Sequence, residues 1–154
     1  MLRILLRYNP LLDVPASDPY IPEAAPVHFI AKNRHQGLLR DLLSSGADPN
    51  ALMAEDISAL HMASADGWDE GIEILLDKGA SINAQDQYLR ETPLHKAARN
   101  IKTGTIELLC ARGADQETQN IDGMKYRDVL DCAQQNPRDW FIDPCRASFC
   151  TFYF

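Results

Sequence analysis

Residues 75–84 read Leu-Leu-Asp-Lys-Gly-Ala-Ser-Ile-Asn-Ala, and residues 42–51 read Leu-Leu-Ser-Ser-Gly-Ala-Asp-Pro-Asn-Ala, the same pattern 33 positions earlier. A third copy, Leu-Cys-Ala-Arg-Gly-Ala-Asp, begins at residue 109, 34 positions after the second. A histidine precedes each copy in the same phase, at His28, His61 and His95. A period in this range indicates an array of stacked units, because one such unit cannot bury its own apolar face.

The first part of each unit predicts a helix. Ser58 and Thr92 carry hydroxyls that accept hydrogen bonds from the free N–H groups of a first helical turn, and Pro93 has no N–H to leave unpaired there. Leucines and alanines then recur every three to four positions, which gives the helix a narrow buried stripe. The alanines of that stripe allow neighbouring helices to approach closely.

The second part of each unit predicts another helix, which in the middle copy runs from about Asp69 to Lys78. It ends at Gly79, because glycine adopts the left-handed conformation that terminates a helix, and Gly46 and Gly113 stand in the same place. The segments between units predict short projecting hairpins, called fingers below. The finger at 88–90 has one extra residue and no glycine, which predicts a reshaped turn.

The third copy shows the family resemblance most clearly. Residues 92–98 read Thr-Pro-Leu-His-Lys-Ala-Ala, which resembles the opening motif of ankyrin repeats, Thr-Pro-Leu-His-x-Ala-Ala. The glycine-alanine copies quoted above resemble its closing motif, Leu-Leu-x-x-Gly-Ala-x-x-Asn. The copy at 58–83 keeps the pattern, the copy at 26–50 is looser, and a fourth at 122–130 keeps the glycine turn but not Thr, Pro or His.

The resemblance implies an all-α ankyrin-repeat solenoid of helix-turn-helix units with short β-hairpin fingers. It also implies that the phased histidines tie each helix start to the backbone of the adjacent finger. The residues expected to support the fold in these ways are His28, His61, His95, Thr92, Gly46, Gly79 and Gly113. In such a solenoid the finger tips and the outer side of the first helices line a concave face, which is free to select a partner.

Three segments follow from this pattern. Residues 1–26 are expected to hold a half-repeat cap, with its helix over 2–9, and a proline-rich extended connection, since five prolines fall between residues 10 and 26. Residues 27–136 hold three recognisable repeats and a degenerate fourth. Residues 137–154 form an aromatic tail, interpreted either as a cap folded on the fourth unit or as a docking peptide for another chain.

Composition narrows the class of protein. The 154 residues are 45% hydrophobic and carry a formal charge of −7, which disfavours nucleic-acid binding because that depends on a basic face. Apolar runs are far shorter than the roughly 20 residues of a membrane-spanning helix, and no signal-peptide pattern follows Met1. The four cysteines are too unevenly spaced for a disulfide framework. We therefore expect a soluble, monomeric protein of the cytoplasm or nucleus.

Motifs for catalysis, cofactors or metals are missing from the sequence. No glycine-rich phosphate loop, zinc-protease motif or paired metal-ligand spacing occurs. The alternative of a zinc or enzymatic site built on Cys132, Cys145 and Cys150 is disfavoured by their spacing, and Cys110 occupies a leucine position expected to be buried. We expect no catalytic residue, no metal and no cofactor.

The remaining candidate is a surface that binds a partner protein. Exposed Met and Tyr are typical of contact surfaces, and Leu52-Met53 stand where a polar Asp is common, although they could also pack on the next finger. The expected contact residues are Leu52, Met53, Glu55, Ile57, Met62, Asp66, Gln87, Tyr88, Arg90, Glu91, Lys96, Arg99, Asn100, Ile121 and Met124.

Charge is expected to divide this surface. The second repeat carries Glu55, Asp56, Asp66 and Asp69, and the third carries Arg90, Lys96, Arg99 and Lys102, a contrast that would orient a partner of mixed charge. Two alternatives stay open at this point: a structural spacer without a selective face, and a fragment of a longer ankyrin-repeat protein.

Overall fold

The computed structural model describes residues 16–18 and 21–135. The helices in this part of the chain are α1 (Pro26–Lys32), α2 (Gln36–Ser44), α3 (Ala59–Asp66), α4 (Asp69–Asp77), α5 (Pro93–Arg99), α6 (Thr103–Ala111) and α7 (Tyr126–Gln135). The strands are β1 (Ala16–Asp18), β2 (Ile21–Ala24), β3 (Leu52–Met53) and β4 (Ile57–Ser58). The predicted helix over 2–9 and the aromatic segment 137–154 lie outside the described residues.

The helices stack as two layers of a solenoid. The first helices of successive repeats contact one another in the order α1, α3, α5 and α7, and the second helices in the order α2, α4 and α6. Each first helix except α7 also packs on the second helix of its own repeat. This is the all-α ankyrin architecture predicted from the repeat.

The core runs continuously between the layers. Leu39, Leu60, Ile72, Leu75 and Leu94 have no more than 1% of their surface exposed, and Ala63, Ala97 and Ala98 of the first helices are buried in the same cluster. Every repeat therefore buries its apolar face against a neighbour, which makes the stability of each depend on the next.

The helix boundaries follow the sequence closely. Ser58 caps α3 by accepting from the His61 backbone N–H, and Thr92 caps α5 in the same way with His95. The middle second helix, predicted over 69–78, covers Asp69–Asp77. The glycines that follow α2, α4 and α6 have φ of +97°, +90° and +89° at Gly46, Gly79 and Gly113, as their terminating position requires.

The fingers are less uniform than the expected row of hairpins. β1 and β2 form an antiparallel pair inside the proline-rich connection, and β3 pairs with β4 across the turn Ala54–Asp56. In the part of the chain that the structure describes, the two later fingers are turns rather than strand pairs. Asp86 and Asn120 explain this difference, because each side-chain oxygen accepts two backbone N–H groups across its turn, at 2.9–3.2 Å and 2.9–3.0 Å respectively. Met53 occupies that position in the preceding finger and cannot accept such bonds.

Candidate partner-binding surface

Backbone hydrogen bonds join successive fingers into one row. The N–H of Gln87 donates to the carbonyl of Glu55 at 2.9 Å, and the N–H of Ile121 donates to the carbonyl of Leu89 at 2.8 Å. Gln85 adds a side-chain link, since its amide donates to the carbonyl of Gln119 at 3.1 Å. Side chains that project from the three fingers therefore belong to a single continuous surface.

Each of these fingers exposes one large apolar side chain. The exposed fractions are 50% for Leu52, 64% for Tyr88 and 60% for Ile121. Met53 is half-buried and Leu52 is exposed, so the alternative of packing within the fold fits Met53 better than Leu52. Large apolar groups exposed in a row are a typical feature of a contact surface.

The finger tips are held in left-handed backbone conformations. Glu55 has φ of +65° and Asp56 has φ of +56°, so two consecutive residues other than glycine occupy this region in the β3–β4 turn. Arg90 has φ of +53° in the finger with the extra residue, where the sequence predicted a reshaped turn, whereas Gly123 takes the same role at +74° in the next finger. The conformation of Glu55 was not predicted, because among residues other than glycine it is chiefly Asn and Asp that adopt positive φ.

The third repeat contains a buried charge cluster that the sequence did not reveal. Glu91 is completely buried, so its expected place among exposed contact residues is wrong. Its carboxylate binds the Arg99 guanidinium and lies 3.1 Å from the Lys96 ammonium. The same ammonium lies 2.6 Å from the carboxylate of Asp86, which is also buried.

This cluster changes the charge expected on the concave face. Lys96 and Arg99 are each only 19% exposed at the side chain, and their charges are balanced by Asp86 and Glu91. Two of the four cations that make the third repeat basic in the sequence are thus neutralised within the fold. Buried ions require such partners, because an unpaired charge out of water is strongly unfavourable.

The pKa of Asp86 reflects its surroundings. Burial by itself would raise the pKa of this carboxyl, but the Lys96 ammonium and the N–H groups of Leu89 and Glu91 stabilise the carboxylate. The net result is a pKa below the ordinary value for aspartate, so the group is ionised near neutral pH. Asp86 therefore fixes the inserted finger to α5 through both a turn and an ion pair.

The other expected contact residues are divided between exposed and half-buried positions. Gln87 and Arg90 are exposed on the inserted finger, and Arg90 donates to the side-chain oxygen of Gln85 at 3.2 Å. Asp66 and Asn100 are exposed at the ends of α3 and α5 that are far from the fingers. The half-buried members of the set are Ile57, Met62 and Met124.

The phased histidines lie beneath the fingers rather than on the surface. His28 Nε2 is 3.0 Å from the carbonyl of Ile57, and His95 Nε2 is 3.1 Å from that of Met124. His61 Nε2 is 3.0 Å from the carbonyl of Ala84 and 3.1 Å from that of Glu91. Burial lowers the pKa of all three imidazoles, so they are neutral at pH 7 and act as hydrogen-bonding groups of the fold.

His28 lacks the helix-cap contacts that His61 and His95 make through Nδ1. His61 Nδ1 accepts from the Ser58 backbone N–H at 3.2 Å and also contacts the Ser58 hydroxyl, and His95 has the same pair of contacts with Thr92. Ala25 stands at this position in the first repeat and has no hydroxyl. His28 Nδ1 is buried without a hydrogen-bond partner.

The described residues also include two of the four cysteines, one of which, Cys132, was a candidate metal ligand. Over residues 16–18 and 21–135, no group of three His, Cys, Asp or Glu side chains is arranged to hold a metal ion. Cys132 is buried, Cys110 is half-buried rather than buried as expected, and Cys145 and Cys150 lie outside the described residues. None of the helices within the described ranges has both the length and the apolar character needed to cross a membrane.

Comparison with known proteins agrees with the observed stacking. The family model for ankyrin repeats, in three copies, matches residues 27–120. The palmitoyltransferase Hip14 of Drosophila melanogaster is 31% identical over 71% of this chain, and the B-cell lymphoma 3 protein homolog of Mus musculus is 31% identical over 63% of it. The serine/threonine-protein kinase VIK of Arabidopsis thaliana is 34% identical over 66% of the chain.

The matched part is a small portion of each of these relatives. It spans 17% of the Drosophila protein, 22% of the mouse protein and 24% of the Arabidopsis protein. The likeness therefore concerns the repeat region and not the activities in their names. Three phased repeats, two stacked helix layers and a family match over more than half of the residues agree, and the chain belongs to the ankyrin-repeat family.

Proposed function

We propose that this chain is a non-enzymatic interaction module that binds a partner protein through its fingers and the adjoining concave face of its first helices. The observation that supports this most strongly is the row of exposed Leu52, Tyr88 and Ile121 on fingers that are hydrogen-bonded to one another. Large apolar side chains exposed on three adjoining fingers are typical of an interaction surface.

The expected contact residues take two different roles in this proposal. Leu52, Tyr88 and Ile121 supply apolar area, and Glu55, Gln87 and Arg90 supply polar contacts beside it. Asp66 and Asn100 lie at the ends of α3 and α5 far from the fingers and are left out of the proposed contact area. Lys96 and Arg99 act mainly by holding the inserted finger in place, because their charges are already balanced within the fold. Such a preorganised surface loses less conformational entropy when it binds.

The proposal extends to the rest of the chain. The proposal assigns the binding array to residues 27–136, and the roles expected above for residues 1–26 and 137–154 stay predictions, with both interpretations of the aromatic tail open. The chain acts as a monomer in the cytoplasm or nucleus, without a cofactor, and it binds neither nucleic acid nor membrane. The acidic net charge of −7 supports the exclusion of nucleic acid.

A capture experiment with matched variants tests the proposal. The intact chain, a triple variant Leu52→Ser/Tyr88→Ser/Ile121→Ser and a control Ile101→Ser are immobilised and exposed to the same cell lysate. Ile101 is a suitable control because it is also exposed but lies in the turn between α5 and α6, at the end of α5 opposite the fingers.

The expected result is a set of proteins that the intact chain and the control both retain and that the triple variant loses. A hot-spot aromatic such as Tyr88 is enough to cause a large part of that loss. If the triple variant retains the same proteins as the control, the finger row is not the binding surface. A spacer without a selective face predicts this second result.

A further inference from the structure

The finger tips carry an excess of negative charge. Glu55, Asp56 and Asp122 are exposed there, against a single exposed cation, Arg90. Arg90 is itself engaged with Gln85, which reduces its availability to a partner. The carboxylates of Glu55 and Asp56 come from one tip, and that of Asp122 from the tip two repeats further along the row.

The apolar side chains lie on the same fingers as these carboxylates. Gln87, the neighbour of Tyr88, is hydrogen-bonded to the backbone of Glu55, and Ile121, the neighbour of Asp122, is hydrogen-bonded to the backbone of Leu89. Tyr88 therefore lies between a carboxylate of the preceding finger and an apolar side chain of the following one. We call Leu52, Glu55, Asp56, Tyr88, Ile121 and Asp122 the finger surface.

The cations behind the fingers are already engaged within the fold. At the fourth unit, Lys125 pairs with Glu117, and the exposed Arg127 donates to the side chains of Tyr126 and Gln116. The cations that the sequence places on α5, Lys96 and Arg99, face the buried carboxylates of Asp86 and Glu91. Their field is largely cancelled at short range, so the finger surface keeps its negative potential. A segment that carries negative charge would be repelled at the tips without compensation from the third repeat.

We propose that the partner of this chain presents a basic segment with interspersed apolar side chains, and that this segment lies along the finger surface. The inference rests on the proposed function and specifies the chemistry of the partner. Lysines or arginines of the segment meet Glu55, Asp56 and Asp122, and its apolar side chains meet Leu52, Tyr88 and Ile121. A second copy of this chain is a poor occupant, since it would bring a net charge of −7 and the same carboxylates to the site.

The dimensions of the row suit a short segment. Stacked helices are about 10 Å apart, so the outer two of the three fingers are separated by roughly 20 Å. An extended chain covers that distance in about six residues and a helix in about thirteen. A peptide of 16 residues is therefore long enough to span the finger surface in either conformation.

A random library of 16-residue peptides displayed on phage provides the test. The library is selected against the intact 154-residue chain, and the enriched peptides are synthesised and measured by fluorescence anisotropy. Two variants with the same change of three charges are compared: Glu55→Gln/Asp56→Asn/Asp122→Asn on the finger surface, and Glu70→Gln/Glu73→Gln/Glu107→Gln on the exposed faces of α4 and α6. Asn is chosen at position 56 because it tolerates the positive φ found there.

The proposal predicts enriched peptides with net positive charge and several apolar residues. Their affinity should fall about 3- to 100-fold in the finger variant, change little in the α4/α6 variant, and weaken as salt is raised. Leu52→Ser/Tyr88→Ser/Ile121→Ser should weaken binding at least about fivefold.

Enriched peptides that are neutral or acidic but still lose affinity with the apolar triple variant would overturn the inference and leave the proposed function standing. Basic peptides that respond to the α4/α6 variant and not to the finger variants would overturn both. A selection that enriches nothing would also contradict the inference, because the finger surface would then have no affinity for the chemistry assigned to it.

Discussion

Gly71→Ala should destabilise this protein, although alanine is normally the better helix former. Gly71 lies in the first turn of α4, and the indole ring of Trp68 packs directly on it. A β-carbon at position 71 would meet the Trp68 ring carbons Cε3, Cδ2 and Cζ3 at 2.1, 2.4 and 2.4 Å. Trp68 is itself 5% exposed, so the ring has little room to move away.

The magnitude follows from two opposing effects. Overpacking of a close contact costs about 1 to 3 kcal/mol, and replacing glycine by alanine within a helix contributes up to about 1 kcal/mol in the other direction. An overlap at 2.1 Å places the overpacking cost in the upper part of that range, at about 2 to 3 kcal/mol, so the net expectation is a loss of about 1 to 2 kcal/mol in the free energy of unfolding. The matched control is Gly37→Ala in the first turn of α2, where a β-carbon has no heavy atom within 4 Å and a gain of up to about 1 kcal/mol is expected.

Urea unfolding followed by circular dichroism at 222 nm measures both variants. The two changes should move the midpoint in opposite directions, and the cost of Gly71→Ala should disappear in a Trp68→Leu background because the clashing ring is gone. If Gly71→Ala and Gly37→Ala stabilise the protein equally, Trp68 does not pack on Gly71 and the contact described above is wrong.

Three further changes test individual contacts by the same unfolding assay. Ala25→Ser should raise stability by about 1 kcal/mol, because residue 25 already has the extended cap conformation and the new hydroxyl would contact the unpartnered His28 Nδ1. An unchanged unfolding midpoint would argue against that cap. Ser64→Ala should also raise stability by about 1 kcal/mol, since the buried Ser64 hydroxyl has no hydrogen-bond partner, whereas a loss would mean that the hydroxyl is satisfied. Asp86→Asn should cost roughly 1 to 3 kcal/mol at pH 7 and flatten the acid limb of the stability profile. A carboxyl whose pKa is lower in the folded state adds stability above its unfolded pKa, and this stability is lost as the pH falls through the folded pKa. If the stability of the wild type and that of Asp86→Asn fell in parallel with decreasing pH, the ion pair with Lys96 would be excluded.

Much of the fold could be predicted because it depends on local and periodic signals. A hydroxyl before a helix, a glycine after one and an apolar stripe at helical spacing each act within a few residues, so Thr92, Gly79 and Leu94 were placed correctly. The period then transferred these assignments from the clearest repeat to the others.

The features that sequence reasoning missed depend on how individual side chains are oriented within a repeat. Glu91 was expected at the surface because charged side chains are usually exposed, and only the folded arrangement of α5 brings Arg99 and Lys96 onto it. The packing of Trp68 on Gly71 was missed for the same reason. Comparison of the repeats could have indicated one further feature: Ile101 occupies the turn position of Gly67 and has φ of +54°, an unfavourable conformation for a β-branched residue.

The candidate surface was predicted in outline but not in charge. Position in the repeat was sufficient to place Leu52, Tyr88 and Ile121 on exposed fingers. It was not sufficient to show that Lys96 and Arg99 of α5 are neutralised, because that depends on the positions that the fold gives to the carboxylates of Asp86 and Glu91.

Hydrogen–deuterium exchange on the intact chain, alone and with a bound peptide from the selection described above, tests the central claim most directly. Binding through the fingers predicts slower amide exchange over residues 52–58, 85–91 and 119–124, with little change over the second helices at 36–44, 69–77 and 103–111. Protection confined to the second helices, with the fingers exchanging as in the free protein, would contradict the assignment of the finger row as the binding surface.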